Sequence, residues 1–125
     1  MSSAVRMRPL VVKLTAGADE PERVSQAYTV AATALASGSP TSLWLTGEAS
    51  RLACPGEAET FRLEHAPPLA DLRDALIADG QVTVCSQCAL RRGLTQDDFV
   101  PGIRLAGAAL FVEECLTGDS QALVY

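Results

Sequence analysis

Five short apolar runs, spaced along the chain with helix-like segments between most of them, constrain this sequence more than any other feature. Leu10-Val11-Val12-Lys13-Leu14, Ser42-Leu43-Trp44-Leu45-Thr46, Val82-Thr83-Val84, Ile103-Arg104-Leu105-Ala106 and Ala122-Leu123-Val124-Tyr125 read as strands. After the first, a helix is expected from near Asp19, with Pro21 in its first turn and Glu22 in capping-box spacing. Val24, Ala27, Tyr28, Ala31 and Leu35 share one of its faces, and Gly38 lies past its end. Glu48 to Ala53 allows a turn or two of helix before Pro55-Gly56. Residues 57–65 fit either a short edge strand, through the alternation at Thr60-Phe61-Arg62-Leu63, or an extended loop. Pro67-Pro68 opens a helix with Leu69, Leu72 and Leu76 on one face, ending before Gly80. The stretch from Thr95 to Gly102 reads as loop, and Ala108, Phe111, Val112 and Cys115 mark the inner face of a last helix. Strands alternating with helices imply an α/β fold: a three-layer α/β/α sandwich around a mostly parallel sheet of about five strands.

At 125 residues, with no internal repeat, low-complexity tract or linker, residues 1–125 are expected to form one domain. The chain is 48% hydrophobic but only 5% aromatic, so its core must be built from Ala, Val and Leu. That much apolar surface favours a homo-oligomer. A net charge of −5 and a pI near 4.7 are the opposite of a phosphate-neutralising footprint, so direct nucleic-acid binding is not expected. No apolar run approaches the roughly 20 residues needed to cross a bilayer, which argues against a membrane protein. Residues 1–8 lead straight into a strand and lack the apolar core of a signal peptide. The expected location is therefore the cytoplasm, where four cysteines stay reduced and a Cys-x-x-Cys points to catalysis or metal binding.

That motif is Cys85-Ser86-Gln87-Cys88, entered from Val82-Thr83-Val84 and followed by a helical turn. A thiol at the carboxyl end of a strand and the amino end of a helix meets unpaired N–H groups that favour its anion. Cys85 is accordingly the candidate reactive sulfur, with Cys88 as a resolving or packing thiol. The turns at Thr15-Ala16-Gly17 and Thr46-Gly47-Glu48 should emerge at the same sheet edge, where open parallel sheets gather ligands. Cys115 falls on an apolar helix face and Cys54 in a loop, so both read as bystanders. Nothing folds His65 back to pair with Cys85. Arg91 and Arg92 point about 100° apart on a helix, so at most one faces a thiolate or an acidic partner. No second ligand pair accompanies the Cys-x-x-Cys, so no metal is expected; without a Gly-x-Gly-x-x-Gly or Walker pattern, no nucleotide cofactor is expected either.

The sequence resembles the DsrE/DsrF-like family of sulfur-relay proteins, which includes TusD-like and YchN-like members. The resemblance lies in Val84-Cys85 followed by Leu90-Arg91-Arg92-Gly93, in Arg104-Leu105-Ala106-Gly107-Ala108 leading into a helix, and in a closing strand with an aromatic end at Tyr125. Strand and helix order agrees over nearly the whole chain. The resemblance implies a DsrE-like fold and a trimer or hexamer. It also implies that Cys85 accepts sulfur as a persulfide from a donor protein and passes it to an acceptor protein, a sulfurtransferase-like role. Cys88 departs from the TusD-like pattern, which carries a small apolar residue there; a second thiol can resolve the persulfide into a Cys85–Cys88 disulfide. Two other readings stay open: a thiol–disulfide oxidoreductase using Cys85 and Cys88, and a non-catalytic binding module whose oligomeric surface is its function.

Overall fold

In the computed structural model, which describes residues 6–125, the five apolar runs pair into one all-parallel sheet. The strands are β1 (Leu10–Leu14), β2 (Thr41–Leu45), β3 (Gln81–Cys85), β4 (Arg104–Ala106) and β5 (Gln121–Val124), in the order β4-β3-β2-β1-β5. The helices are α1 (Pro21–Ala36), α2 (Glu57–Thr60), α3 (Leu69–Asp79), α4 (Ser86–Arg91) and α5 (Ala108–Leu116), with 3-10 segments at Gly47–Ala53 and Gln96–Asp98.

Side chains alternate across the pleat, so register alone assigns each strand residue to a layer. One face carries Val12, Leu14, Leu43, Leu45, Val82 and Val84, all buried against Val24, Ala27, Tyr28 and Ala31 of α1 and Leu69 and Leu76 of α3. Removing each such Val or Leu from water contributes on the order of 1.5–3 kcal/mol, which makes this the stabilising layer. The other face carries Val11, Lys13, Ser42, Trp44, Thr83, Cys85 and Arg104, a much more polar set, and only α5 crosses it. Phe111 of α5 meets Trp44 edge to face, with ring centroids 5.4 Å apart.

The winding follows from chirality. The chain steps from β1 to β4 in one direction with its helices on the first face. It then returns across the whole sheet to lay β5 beside β1. A right-handed return in the opposite direction must put α5 on the opposite face. Connections from β3 and β4 therefore leave to opposite sides, which makes the carboxyl ends of these two neighbours the switch point of the sheet.

Several expectations are corrected in detail. The first helix starts at Pro21, and Glu20 precedes it without a side-chain cap, so the Asp19–Glu22 box does not form. Residues 57–60 are helical rather than part of an edge strand, with extended backbone resuming at Phe61. The stretch read as loop holds the 3-10 turn Gln96–Asp98, closed by a capping box between Thr95 and Asp98. On α5 half of the expected inner face holds: Phe111, packed on Trp44, and Cys115 are half-buried, whereas Ala108 and Val112 are exposed and no residue of the helix is fully buried. The helix is rotated because Glu114 turns towards the sheet. Its carboxylate accepts hydrogen bonds from Ser42 Oγ at 2.7 Å, Trp44 Nε1 at 2.9 Å and Arg104 Nη2 at 2.6 Å. A carboxylate with three donors is better satisfied there than in water competing for a single bond.

Candidate functional site

Three strand ends meet at the carboxyl edge of the sheet. Thr46 closes β2 by donating from N–H and Oγ1 to the Leu14 carbonyl. Gly47 follows with φ 54°, and a Cβ there would stand 2.9 Å from the Thr15 carbonyl oxygen, so the β1 and β2 ends pack as closely as glycine permits. Beside them Cys85 is the last residue of β3, paired with Ala106 of β4, and α4 begins at Ser86. Gly107, which precedes α5, lies so near that an added Cβ would sit 3.3 Å from Ser86 Oγ. Cys85 thus occupies the β3–β4 switch point, between two helix amino ends.

All four cysteines are free thiols, and each is half-buried. Burial works against the Cys85 anion, yet the backbone N–H of Cys88, the Cys88 thiol, the backbone N–H of Gln87 and the Lys13 ammonium together outweigh it and hold this thiol below its ordinary value. The Cys85 sulfur closes no full capping hydrogen bond on α4. The effect is the convergence of several dipoles and one charge. Burial pushes the Cys54 thiol up, with Asp98 and Glu57 adding to it. Cys115 is also raised, by burial and by its neighbour Glu114, against the opposing pull of Lys13. In contrast to Cys54 and Cys115, Cys85 sits in an environment shifted towards thiolate.

The remaining candidates fall where their neighbours hold them. Arg92 donates from Nε to Glu48 Oε2 at 3.0 Å and from Nη1 to the Cys88 carbonyl at 3.1 Å, so it is committed to bracing the end of α4. Arg91 is exposed, as is Leu90 at 79% of its surface. His65 is exposed in the loop before α3, in the left-handed region at φ 59°, with no hydrogen bond to either thiol of the motif. Among the described residues, no group of three or more His, Cys, Asp and Glu side chains is placed to share a metal ion. No helix among them is long and apolar enough to cross a membrane. A groove of about 480 Å³ opens beneath α5, lined by Val11, Ser42, Gln81, Leu110, Glu113 and Thr117 among others. It lies at the amino ends of the strands, away from Cys85.

Two contributors were missed in the sequence. Lys13 was read only as part of a strand, although a lysine inside an apolar run marks a sheet face with room for charge. The polar joint of Glu114 with Ser42, Trp44 and Arg104 had no signal in helical periodicity, because its partners are 10 to 72 positions away.

The chain belongs to the DsrE/DsrF-like family, whose model matches residues 10–121. It is similar in fold to the YchN protein of E. coli, with a TM-score of 0.79 at 16% identity, covering 95% of this chain and all (100%) of that one. A protein of unknown function from Methanobacterium thermoautotrophicum, MTH1491, superimposes with a TM-score of 0.74 at 11% identity over 95% of this chain and 100% of its own. No curated protein matches the sequence. The expected α/β fold and family are both found, with the sheet parallel throughout.

Proposed function

We propose that this chain is a sulfur-relay protein in which Cys85 takes up sulfane sulfur as a persulfide and hands it to a cysteine of a partner protein. The observation that carries the reading is the Cys85 thiol: it ends β3 at the switch point of the sheet and is held below its ordinary pKa, where Cys54 and Cys115 are raised. Membership of the DsrE/DsrF-like family supports the same chemistry. The Cys85 thiolate attacks the terminal sulfur of a donor persulfide, the donor's S–S bond breaks, and the donor leaves as a thiolate. A partner thiolate then attacks the terminal sulfur on Cys85, which leaves as thiolate in turn. There is no net oxidation, and no cofactor or metal is required.

Cys88 favours a second reading through one feature: its thiol lies close enough to stabilise the Cys85 anion. From that position a Cys88 thiolate can attack the inner sulfur of the persulfide, forming a Cys85–Cys88 disulfide and releasing hydrosulfide. The same pair would serve a thiol–disulfide oxidoreductase. A homo-oligomer, trimeric or hexameric as in the family resemblance, completes the proposal. The surface for it is α5 with β5, where Val112, Leu116 and Val124 are 48%, 78% and 66% exposed.

Peptide-resolved mass spectrometry after exposure to polysulfide tests the relay. Wild type should gain one sulfur at Cys85 and then lose it as the disulfide forms. Cys88→Ser should hold the added sulfur longer, and Cys85→Ser should never gain it. Equal sulfur uptake by Cys85→Ser refutes the relay. No uptake by wild type, with reduction of a disulfide substrate instead, establishes the oxidoreductase; neither reaction leaves the oligomeric binding module.

A further inference from the structure

We infer that Lys13 is the positioning cation of this site: its ammonium, and neither arginine of α4, supplies the fixed positive charge that holds anionic sulfur on Cys85. The inference rests on Cys85 being the reactive thiol. Lys13 pairs with Trp44, which pairs with Thr83, and Cys85 follows two residues later on the same face. Two strand spacings across and two residues along put the two Cα atoms about 12 Å apart, so the ammonium acts on Cys85 through space rather than by contact.

The charge is both fixed and uncommitted. Lys13 Nζ lies 5.2 Å from the centre of the Phe111 ring, a cation–π contact that pins it beneath α5. The stem runs in the row between Val124 and Trp44, its register neighbours. Among the described residues no carboxylate pairs with it. Of the neighbouring cations, Arg92 and Arg51 share Glu48, Arg104 is bonded to Glu114 and Thr83, and Arg91 is exposed to solvent. The groups facing Cys85 are therefore Lys13 from β1 and Cys88 from α4. The Arg104–Glu114 pair stands one register step back, and Cys115 of α5 also lies within reach of the Lys13 charge. An ammonium in this partly dry layer acts on a thiolate more strongly than it would in water.

The test is site-resolved alkylation of the full chain by iodoacetamide as a function of pH, in wild type, Lys13→Met, Lys13→Arg and Phe111→Leu. Lys13→Met should raise the apparent pKa of Cys85 and slow its alkylation at neutral pH by about three- to tenfold. Lys13→Arg should restore it to within about twofold, and Cys54, which Lys13 does not influence, should not move. Phe111→Leu keeps the lysine but removes its ring, and shifts Cys85 the same way by a smaller factor; it carries the test if Lys13→Met does not fold. An unchanged Cys85 profile in Lys13→Met and Phe111→Leu, or equal damage from Lys13→Arg, overturns the inference. Polysulfide uptake in the same samples separates the two claims. A shifted profile with no uptake by wild type refutes the relay and leaves the cation, whereas an unshifted profile with normal uptake refutes only the cation.

Discussion

Replacing Glu114 by alanine removes the polar joint that seats α5 on the sheet. The lost bonds are to Ser42 Oγ, Trp44 Nε1 and Arg104 Nη2, at 2.7, 2.9 and 2.6 Å. Hydrogen bonds to a charged group contribute roughly 1.5–3 kcal/mol each when dry. Here the Glu114 and Arg104 side chains keep 21% and 31% of their exposure, so water replaces part of what they lose. Trp44 is only 1% exposed, and its N–H has no substitute acceptor. The expected cost is about 2–3 kcal/mol, dominated by that stranded indole, with Glu114→Gln near half because its carbonyl still accepts. Urea unfolding at fixed protein concentration reads it directly, and the constant concentration matters because α5 is also the proposed subunit contact. The pH dependence has a definite sign. Burial raises the Glu114 carboxyl, but donation from Trp44, Ser42 and Arg104 outweighs it and holds the group below its ordinary 4.5. A folded value below the unfolded one means stability that is present above pH 4.5 and is lost as the pH falls through the lower, folded value. Wild type should show that acid slope and Glu114→Gln a shallower one, since Glu48, Glu59 and Asp119 are held low as well. A Glu114→Ala protein within about 0.5 kcal/mol of wild type, or equal losses for Ala and Gln, would refute the reasoning.

Gly47→Ala should destabilise by roughly 1–3 kcal/mol in a thermal melt, since φ is 54° and the new methyl meets the Thr15 carbonyl at 2.9 Å. Gly56→Ala, at φ 87° with nothing within 4 Å, should lose less, and equal losses would count against the close approach. Leu116→Asp, which charges a side chain 78% exposed on α5, should reduce the particle size seen by light scattering without lowering helix content. A wild type already monomeric at micromolar concentration would remove the oligomer.

What could be read before folding was what depends on neighbours in sequence. Alternation and apolar runs located every strand to within a residue or two, because burial of Val12, Leu43, Val82 and their like is imposed by a two-residue period. Cys85 was legible for the same reason: a strand that ends where a helix begins is a local event. Pro21 is a stronger start signal than Asp19 because its fixed φ suits the first helical residue, whereas an acidic residue caps only if the chain turns correctly around it. Strand order was not legible. The return from β4 to β5 across the sheet depends on which edges remain free, and with it went the recognition that Cys85 stands at a switch point.

The polar layer was hidden by a different cause. Periodicity ranks residues by hydrophobicity, so on α5 it chose Ala108 and Val112 for the inner face and passed over Glu114. On α3 it passed over Arg73, which is 6% exposed and binds Glu59 with both terminal nitrogens, at 3.1 and 2.7 Å. Most of the partners that keep these charged residues inside are distant in sequence, Asp74 beside Arg73 being the exception, and hydrophobic periodicity registers none of them. The same physics makes the errors informative. A carboxylate on the inner side of the most apolar helix, and a lysine without a carboxylate in the middle of β1, both lie on the one sheet face that also carries Cys85. Had that face served only to close the core, Leu or Val at these positions would bury the same area with no desolvation to offset. Lys13 places a positive charge on the face of the proposed anionic sulfur, and Glu114, paired with Arg104, seats α5 over that face, which is the argument for reading the α5 face and the thiol as one functional unit.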